Sequence, residues 1–279
     1  MKAAFMPRSS IYTGDYSCLF RNSNNEILSK PHYHDFYEIG IYLGCAGIFK
    51  INDNEYHMKR GDITLINMFE PHNLIYNKDT PYERFCISID PNLLLSFNTT
   101  QSNLLNIFSK DNVNYPLFHV EGKSFEKYMN LLNLFTHEKP VYGKDIFEKA
   151  LLHQLSAYLY NDCYDGIHFD HAKSRHISAV SELVAYINDH LKEDLSLRNL
   201  AQKINYSEYH MCRIFKKITN STLTNYIVEK RIEQASRLLN SGIPVNKIAE
   251  NVGFHNYSYF YKAFKKYTGK SPSEYKEQQ

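Results

Sequence analysis

Between Phe36 and Asp90 the hydrophobic positions come in short runs. The stretch FYEIGIYLGCAGIFKINDNEYHMKRGDITLINMFEPHNLIY sets β-branched and aromatic residues among polar ones, and Asn52-Asp53-Asn54, Gly61-Asp62 and Pro71 interrupt it. Short strands joined by turns predict an antiparallel sandwich or barrel. SCLFR supplies a strand-like piece upstream, and ERFCISID closes the β-rich stretch near residue 90. The period then changes. PNLLLSFN and SNLLNIFS predict short helices, and FEKYMNLLNLFT and DIFEKALLHQLSAYLYNDC predict longer ones, with Ile146, Ala150, Leu151 and Leu155 on one face. That stripe suits either the core of its own domain or a surface shared between two copies. Residues 162–176, DCYDGIHFDHAKSRH, are polar and aperiodic and read as a linker.

The remainder is helical, over residues 174–191, 196–204, 207–218, 222–240, 244–251 and 256–267, with a short final turn. It contains a repeat. Leu200-Ala201 matches Ile248-Ala249, Ile204 matches Val252, Phe215-Lys216-Lys217 matches Phe264-Lys265-Lys266, and Tyr226 matches Tyr275. Each copy predicts a helix, a tight turn and a second helix. Asn205 and Gly253 are the residue types that tolerate the left-handed backbone of such a turn, and Asn220 and Gly269 are placed to end the second helices.

In the second helices, Met211, Ile214, Phe215 and Ile218, and likewise Phe260, Ala263, Phe264 and Tyr267, follow the spacing of a buried face. Two stripes are left for solvent. One is Tyr209, Cys212, Arg213 and Lys216; the other is Tyr257, Ser258, Tyr261, Lys262 and Lys265. A slim helix with a basic face suits a major groove about 12 Å wide. Arg213 has the fork to bind guanine, Lys262 can meet guanine or phosphate, and the tyrosines can pack on a thymine methyl. A single basic helix would as easily be an ordinary solvated face; two matched copies make that reading weak.

Charge sharpens the division. Residues 1–172 carry 15 Lys and Arg against 20 Asp and Glu, a net of −5, whereas residues 173–279 carry 17 against 10, a net of +7. The basic end calls for a polyanion partner. The five cysteines are scattered and form no CxxC, which fits a reducing cytoplasm. No apolar run or leader-like N-terminus suggests a membrane span or a signal peptide.

The most enzyme-like chemistry lies in PHYHDFYEIG. His32, His34 and Glu38 share parity, so on a single strand they share a face, and His72 can reach them from a neighbouring strand. Histidines with a carboxylate are a metal donor set, but they equally line a ligand pocket or satisfy a barrel's own hydrogen bonds.

Residues Leu197 to Tyr275 resemble the DNA-binding domain of AraC/XylS-type bacterial transcription regulators, through SEYHMCRIFKKITN, KRIEQASRLLNSG and IPVNKIAENVGFHNYSYFYKAFKKYTGKSPSEY. PHYHDFYEIGIYLGCAG and KRGDITLINMFEPHN resemble the cupin effector domain of the same family. The resemblance implies a two-domain α+β chain. Residues 1–165 would form a cupin-like antiparallel β-barrel with flanking helices, binding effector and dimerising. Residues 166–279 would form an all-α domain with two helix–turn–helix units. It implies base reading by Tyr209, Cys212 and Arg213 and by Tyr257, Ser258, Tyr261 and Lys262, although the thiol of Cys212 departs from the long polar side chains often found there. Lys216 and Lys265 are placed for phosphates. It also implies promoter or operator DNA as partner, a small-molecule effector such as a sugar held at His32, His34, Glu38 and His72, a homodimer, contact with RNA polymerase, activation as the usual outcome, and no cofactor. Two other readings remain: a regulator without a soluble effector, and a cupin metalloenzyme carrying a DNA-binding domain.

Overall fold

The computed structural model describes residues 4–5, 15–22, 30–44, 47–76, 82–99, 102–110, 112–137, 142–164, 171–219, 221–239 and 243–276. It divides into two compact units, Met1–Ser178 and Ala179–Gln279. The predicted linker lies partly outside the described residues; on either side of that gap the chain is helical, up to Cys163 and again from His171.

The first unit contains β1 (Ala4–Phe5), β2 (Tyr16–Asn22), β3 (His32–Tyr33), β4 (Tyr37–Gly44), β5 (Gly47–Ile51), β6 (Asn54–Met58), β7 (Asp62–Ile66), β8 (His72–Tyr76), β9 (Glu83–Ile89) and β10 (Leu117–His119). They form two five-stranded sheets, ordered β1-β3-β8-β5-β6 and β10-β7-β4-β9-β2. The expected cupin-like barrel is therefore corrected. A barrel needs a ladder that returns on itself, and among the described residues neither sheet pairs with the other. Each is open. Side chains join them instead: Tyr42 and Ile66 from one sheet pack with Phe49, Ile51, Met58 and Leu74 from the other. The open edge at β6 is short and charged, with a Lys50–Glu55 ion pair at 2.5 Å, which discourages further pairing.

β4 is buried on both faces over its first six residues, since it is central in its sheet and covered on the outside by helix. Tyr37, for example, lies 4.6 Å from Phe108 between ring centroids. Gly40 is needed here because a Cβ would stand 2.4 Å from Thr64 Oγ1 on the neighbouring strand. After β9 come α1 (Pro91–Ser96), a short 3₁₀ helix (Leu104–Phe108), α2 (Gly122–His137) and α3 (Lys144–Cys163). Asp90 caps α1 by accepting from Asn92 N.

α2 packs on α3. Asp162 of α3 accepts from Ser124 Oγ at 2.8 Å, Lys127 Nζ at 2.9 Å and Tyr128 Oη at 3.0 Å on α2. Burial opposes its charge, but these bonds and one from Asn161 outweigh that and hold its pKa below the usual carboxylate range. The leucine stripe predicted on α3 divides. Leu151 and Leu155 are buried in their own unit with Leu152 and Leu159, whereas Ile146 is 72% exposed.

The second unit contains α4 (from His171 to Asp189, its first turns belonging to the first unit), α5 (Leu197–Lys203), α6 (Glu208–Thr219), α7 (Leu223–Leu238), α8 (Val245–Asn251), α9 (Tyr257–Thr268) and α10 (Pro272–Lys276). α7 contributes Val228, Ile232 and Ala235 to a core with Ile248, Ala249, Val252, Phe260 and Phe264. Among the described residues, no helix is long and apolar enough to cross a membrane.

Candidate functional site

The two helix–turn–helix units share the bonds of their turns and of the ends of their second helices, although Ser196 caps α5 and Pro244 gives α8 no side-chain cap. Tyr206 N donates to Ala201 O at 3.0 Å, and Phe254 N to Ala249 O at 2.9 Å. The residue at the turn is left-handed in both, Asn205 with φ 54° and Gly253 with φ 90°. Ser207 Oγ accepts from His210 N at the start of α6, and Asn256 Oδ1 from Tyr259 N at the start of α9, so each helix has its N-terminal cap. At the far ends, Thr219 and Thr268 each accept from a backbone N–H two residues on. Gly269 closes α9 with φ 78°; Asn220, expected in the same role, lies outside the described residues.

Both helices bury most of the predicted faces, with Ile218 and Tyr267 only half-buried. Met211, Ile214 and Phe215 are buried on α6, and Phe260, Ala263 and Phe264 on α9. Tyr209, Arg213 and Lys216 are exposed and Cys212 half-buried; Tyr257, Ser258, Tyr261, Lys262 and Lys265 are exposed. Burial and the neighbouring Glu208 raise the Cys212 thiol's pKa, which keeps it protonated. Periodicity missed Tyr259, which is 52% exposed beside this stripe; its ring tilts on Phe254, 5.8 Å away.

In the first unit, His32, His34, Glu38 and His72 do not share one strand. β3 ends at Tyr33 and β4 begins at Tyr37 in the other sheet. The chain crosses between sheets through His34, and the residues converge from different elements. His72 on β8 pairs in register with His32 on β3 and with Ile51 on β5. The His32 and His72 rings are 4.3 Å apart between centroids, and those of His34 and His72 4.9 Å. His34, Glu38 and His72 are buried, and His32 is half-buried.

Each histidine is tied through Nδ1 to a backbone carbonyl: His32 to Lys30 at 3.1 Å, His34 to Phe36 at 2.9 Å and His72 to Glu70 at 2.8 Å. A carbonyl only accepts, so Nδ1 carries the proton and Nε2 points away from the tie. Two ion-pair partners flank Glu38, His34 Nε2 at 3.4 Å from Oε2 and Arg84 Nη1 at 3.7 Å from Oε1. Burial opposes its charge, but His34, His72 and Arg84 keep its pKa well below the usual range. Burial, reinforced by His34, pushes His72 down to about 3, so its imidazole is neutral. Burial also lowers His32. Arg84 on β9 was not legible in the sequence. It donates to Tyr82 Oη at 2.9 Å and sets the orientation of Glu38 from a strand far along the chain.

Residues 200–278 match the family model described as a helix-turn-helix domain, and residues 16–136 the model described as an AraC-like ligand binding domain. The HTH-type transcriptional regulator YdeC of Bacillus subtilis is 24% identical over 88% of this chain and 85% of its own. The HTH-type transcriptional activator AarP of Providencia stuartii is 38% identical over 36% of this chain and 74% of its own. Among solved structures, ToxT from Vibrio cholerae is 15% identical, with a TM-score of 0.53 over 95% of this chain and 97% of its own; its unsaturated fatty acid-bound form gives 0.51 over 94% of each. At that identity ToxT shows the fold alone. YdeC, which matches along most of this chain, is named as an uncharacterized HTH-type transcriptional regulator.

Proposed function

Because this chain belongs to the AraC/XylS family of helix–turn–helix transcription regulators, with a ligand-binding domain ahead of its DNA-binding domain, we propose that it is an effector-responsive activator whose α6 and α9 read one asymmetric promoter site. The observation that carries this reading is the duplication of capped helices with exposed basic faces, Arg213 and Lys216 on one and Lys262 and Lys265 on the other. Two such helices enter successive major grooves when held about one turn of DNA apart, roughly 34 Å. Arg213, Tyr209 and Cys212, with Tyr257, Ser258, Tyr261 and Lys262, meet base edges; Lys216 and Lys265 meet phosphates.

The effector we assign to the first unit is a small polar molecule of the sugar class, approaching from His32, the half-buried member of its cluster. AarP is named as an activator and ToxT binds an unsaturated fatty acid; the polar cluster here favours a more hydrophilic ligand. We place the homodimer contact at the exposed start of α3, where Ile146 is 72% exposed and Tyr142, just before it, 90%.

Selection of DNA from a random pool by the full-length chain tests the reading. The expected product is an asymmetric site with two preferred segments about 10 base pairs apart. Retention of DNA without sequence preference at any salt concentration would overturn it.

A further inference from the structure

We propose that His34, Glu38 and His72 form a divalent transition-metal site that staples the two sheets of the ligand-binding unit together. The inference rests on the reading of this unit as the receptor end of the chain, and adds a structural ion to the polar effector assigned there.

Two buried atoms carry the argument. His34 Nε2 and His72 Nε2 have no hydrogen-bond partner, and both side chains are almost wholly enclosed, at 0% and 2% exposure. An unpaired buried polar atom is costly. His34 Nε2 stands 3.4 Å from Glu38 Oε2, and one donor from each of His34, Glu38 and His72 lies within 4.8 Å of the other two. The 3.4 Å between His34 Nε2 and Glu38 Oε2 fits no well-aligned hydrogen bond. It does fit a shared ion, since two donors about 2.1 Å from a tetrahedral centre stand about 3.4 Å apart.

The surroundings match a ligand set as well. The carbonyls of Phe36 and Glu70 hold the two rings in the tautomer that leaves Nε2 its lone pair, the arrangement that supports metal-bound histidine. Arg84 engages Oε1 of Glu38 and leaves Oε2 toward the imidazoles. His32, tied in the same way through Lys30 O, stands beside His72 as the outer donor. Imidazole with carboxylate suits zinc, iron, cobalt or nickel, and not calcium or magnesium.

The topology gives the ion a task. His72 belongs to one open sheet, Glu38 to the other, and His34 lies on the segment crossing between them. No backbone ladder joins the sheets among the described residues, so an ion here would be a direct polar bond across the core. Its contribution is to stability and rigidity, because binding to the folded state adds to folding free energy.

The test uses the untagged full-length chain, stripped with chelator. Zn²⁺ is titrated in competition with a chromogenic chelator, and Co²⁺ is followed by visible absorption. We expect one equivalent of Zn²⁺ per chain, a rise in Tm, and cobalt d–d bands of a nitrogen–oxygen site. His72→Ala and Glu38→Gln should each weaken Zn²⁺ binding at least 10-fold and remove the Tm rise, while exposed His57→Ala changes neither. Absence of saturable Zn²⁺ binding and of cobalt bands in the wild-type chain would overturn the site, whatever the variants do. So would wild-type affinity in folded His72→Ala. Binding to the selected DNA is measured on the same samples. DNA binding without metal uptake overturns the metal site alone; metal uptake without DNA binding overturns the regulator reading alone.

Discussion

Gly253 passes so close to Leu191 that a Cβ on it would stand 2.3 Å from the Leu191 carbonyl oxygen. Arg231 Nε donates to that same carbonyl at 2.9 Å. The turn of the second helix–turn–helix unit, the spacer helix α7 and the segment just after α4 thus meet around one oxygen. Gly253→Ala meets both a left-handed backbone and a backbone clash, and should cost about 2 kcal/mol or more. Asn205→Gly, at the matching turn, should change stability by no more than about 0.5 kcal/mol. Urea unfolding compares the two; equal effects would show that the turns are not held as described.

Arg213 and Lys216 lie one turn apart on α6, both exposed. Arg213→Ala should cost about 1–3 kcal/mol against the selected site and relax the preference at one or two base pairs. Lys216→Ala should weaken all DNA alike and lower the salt slope by about one unit. Competition between the site and its point variants at several salt concentrations separates them. A uniform loss for Arg213→Ala would mean that α6 is seated differently.

Leu155 is fully buried against its own unit. Leu155→Ala should therefore cost about 2–5 kcal/mol, with no change in sedimentation of the protein that remains folded. Ile146→Glu should leave stability within about 0.5 kcal/mol and weaken self-association. A monomeric wild-type chain at micromolar concentration removes the dimer contact from α3.

Asp162 sets a pH dependence. Its folded-state pKa lies below its unfolded value, so its contribution is complete above about 4, the unfolded value, and is lost as pH falls through the folded value. Asp162→Asn should remove that part of the acid loss. Asp162→Ala should cost about 1–3 kcal/mol at neutral pH, because Tyr128 Oη loses its acceptor. Thermal unfolding from pH 3 to 7 reads both. Parallel pH profiles for wild type and Asp162→Asn would exclude this linkage.

The helix–turn–helix units were almost wholly determined by the sequence. Helical period, caps such as Asn256 and turn residues such as Gly253 act within a few positions, and the observed helices end within about three residues of where their pattern predicts. The first unit was decided at longer range. Runs of apolar residues identified its strands, but pairing depends on partners far along the chain. Two open sheets instead of a barrel, and the sheet crossing at His34, follow from that pairing. The residues of the cluster were legible as chemistry. Their convergence came from a different cause than shared strand parity, namely the register of His32 with His72 and the burial of Glu38 beside Arg84. The leucines of α3 likewise have a periodicity that marks an apolar face; only packing against the rest of the unit decided that Leu151 and Leu155 turn inward and Ile146 outward.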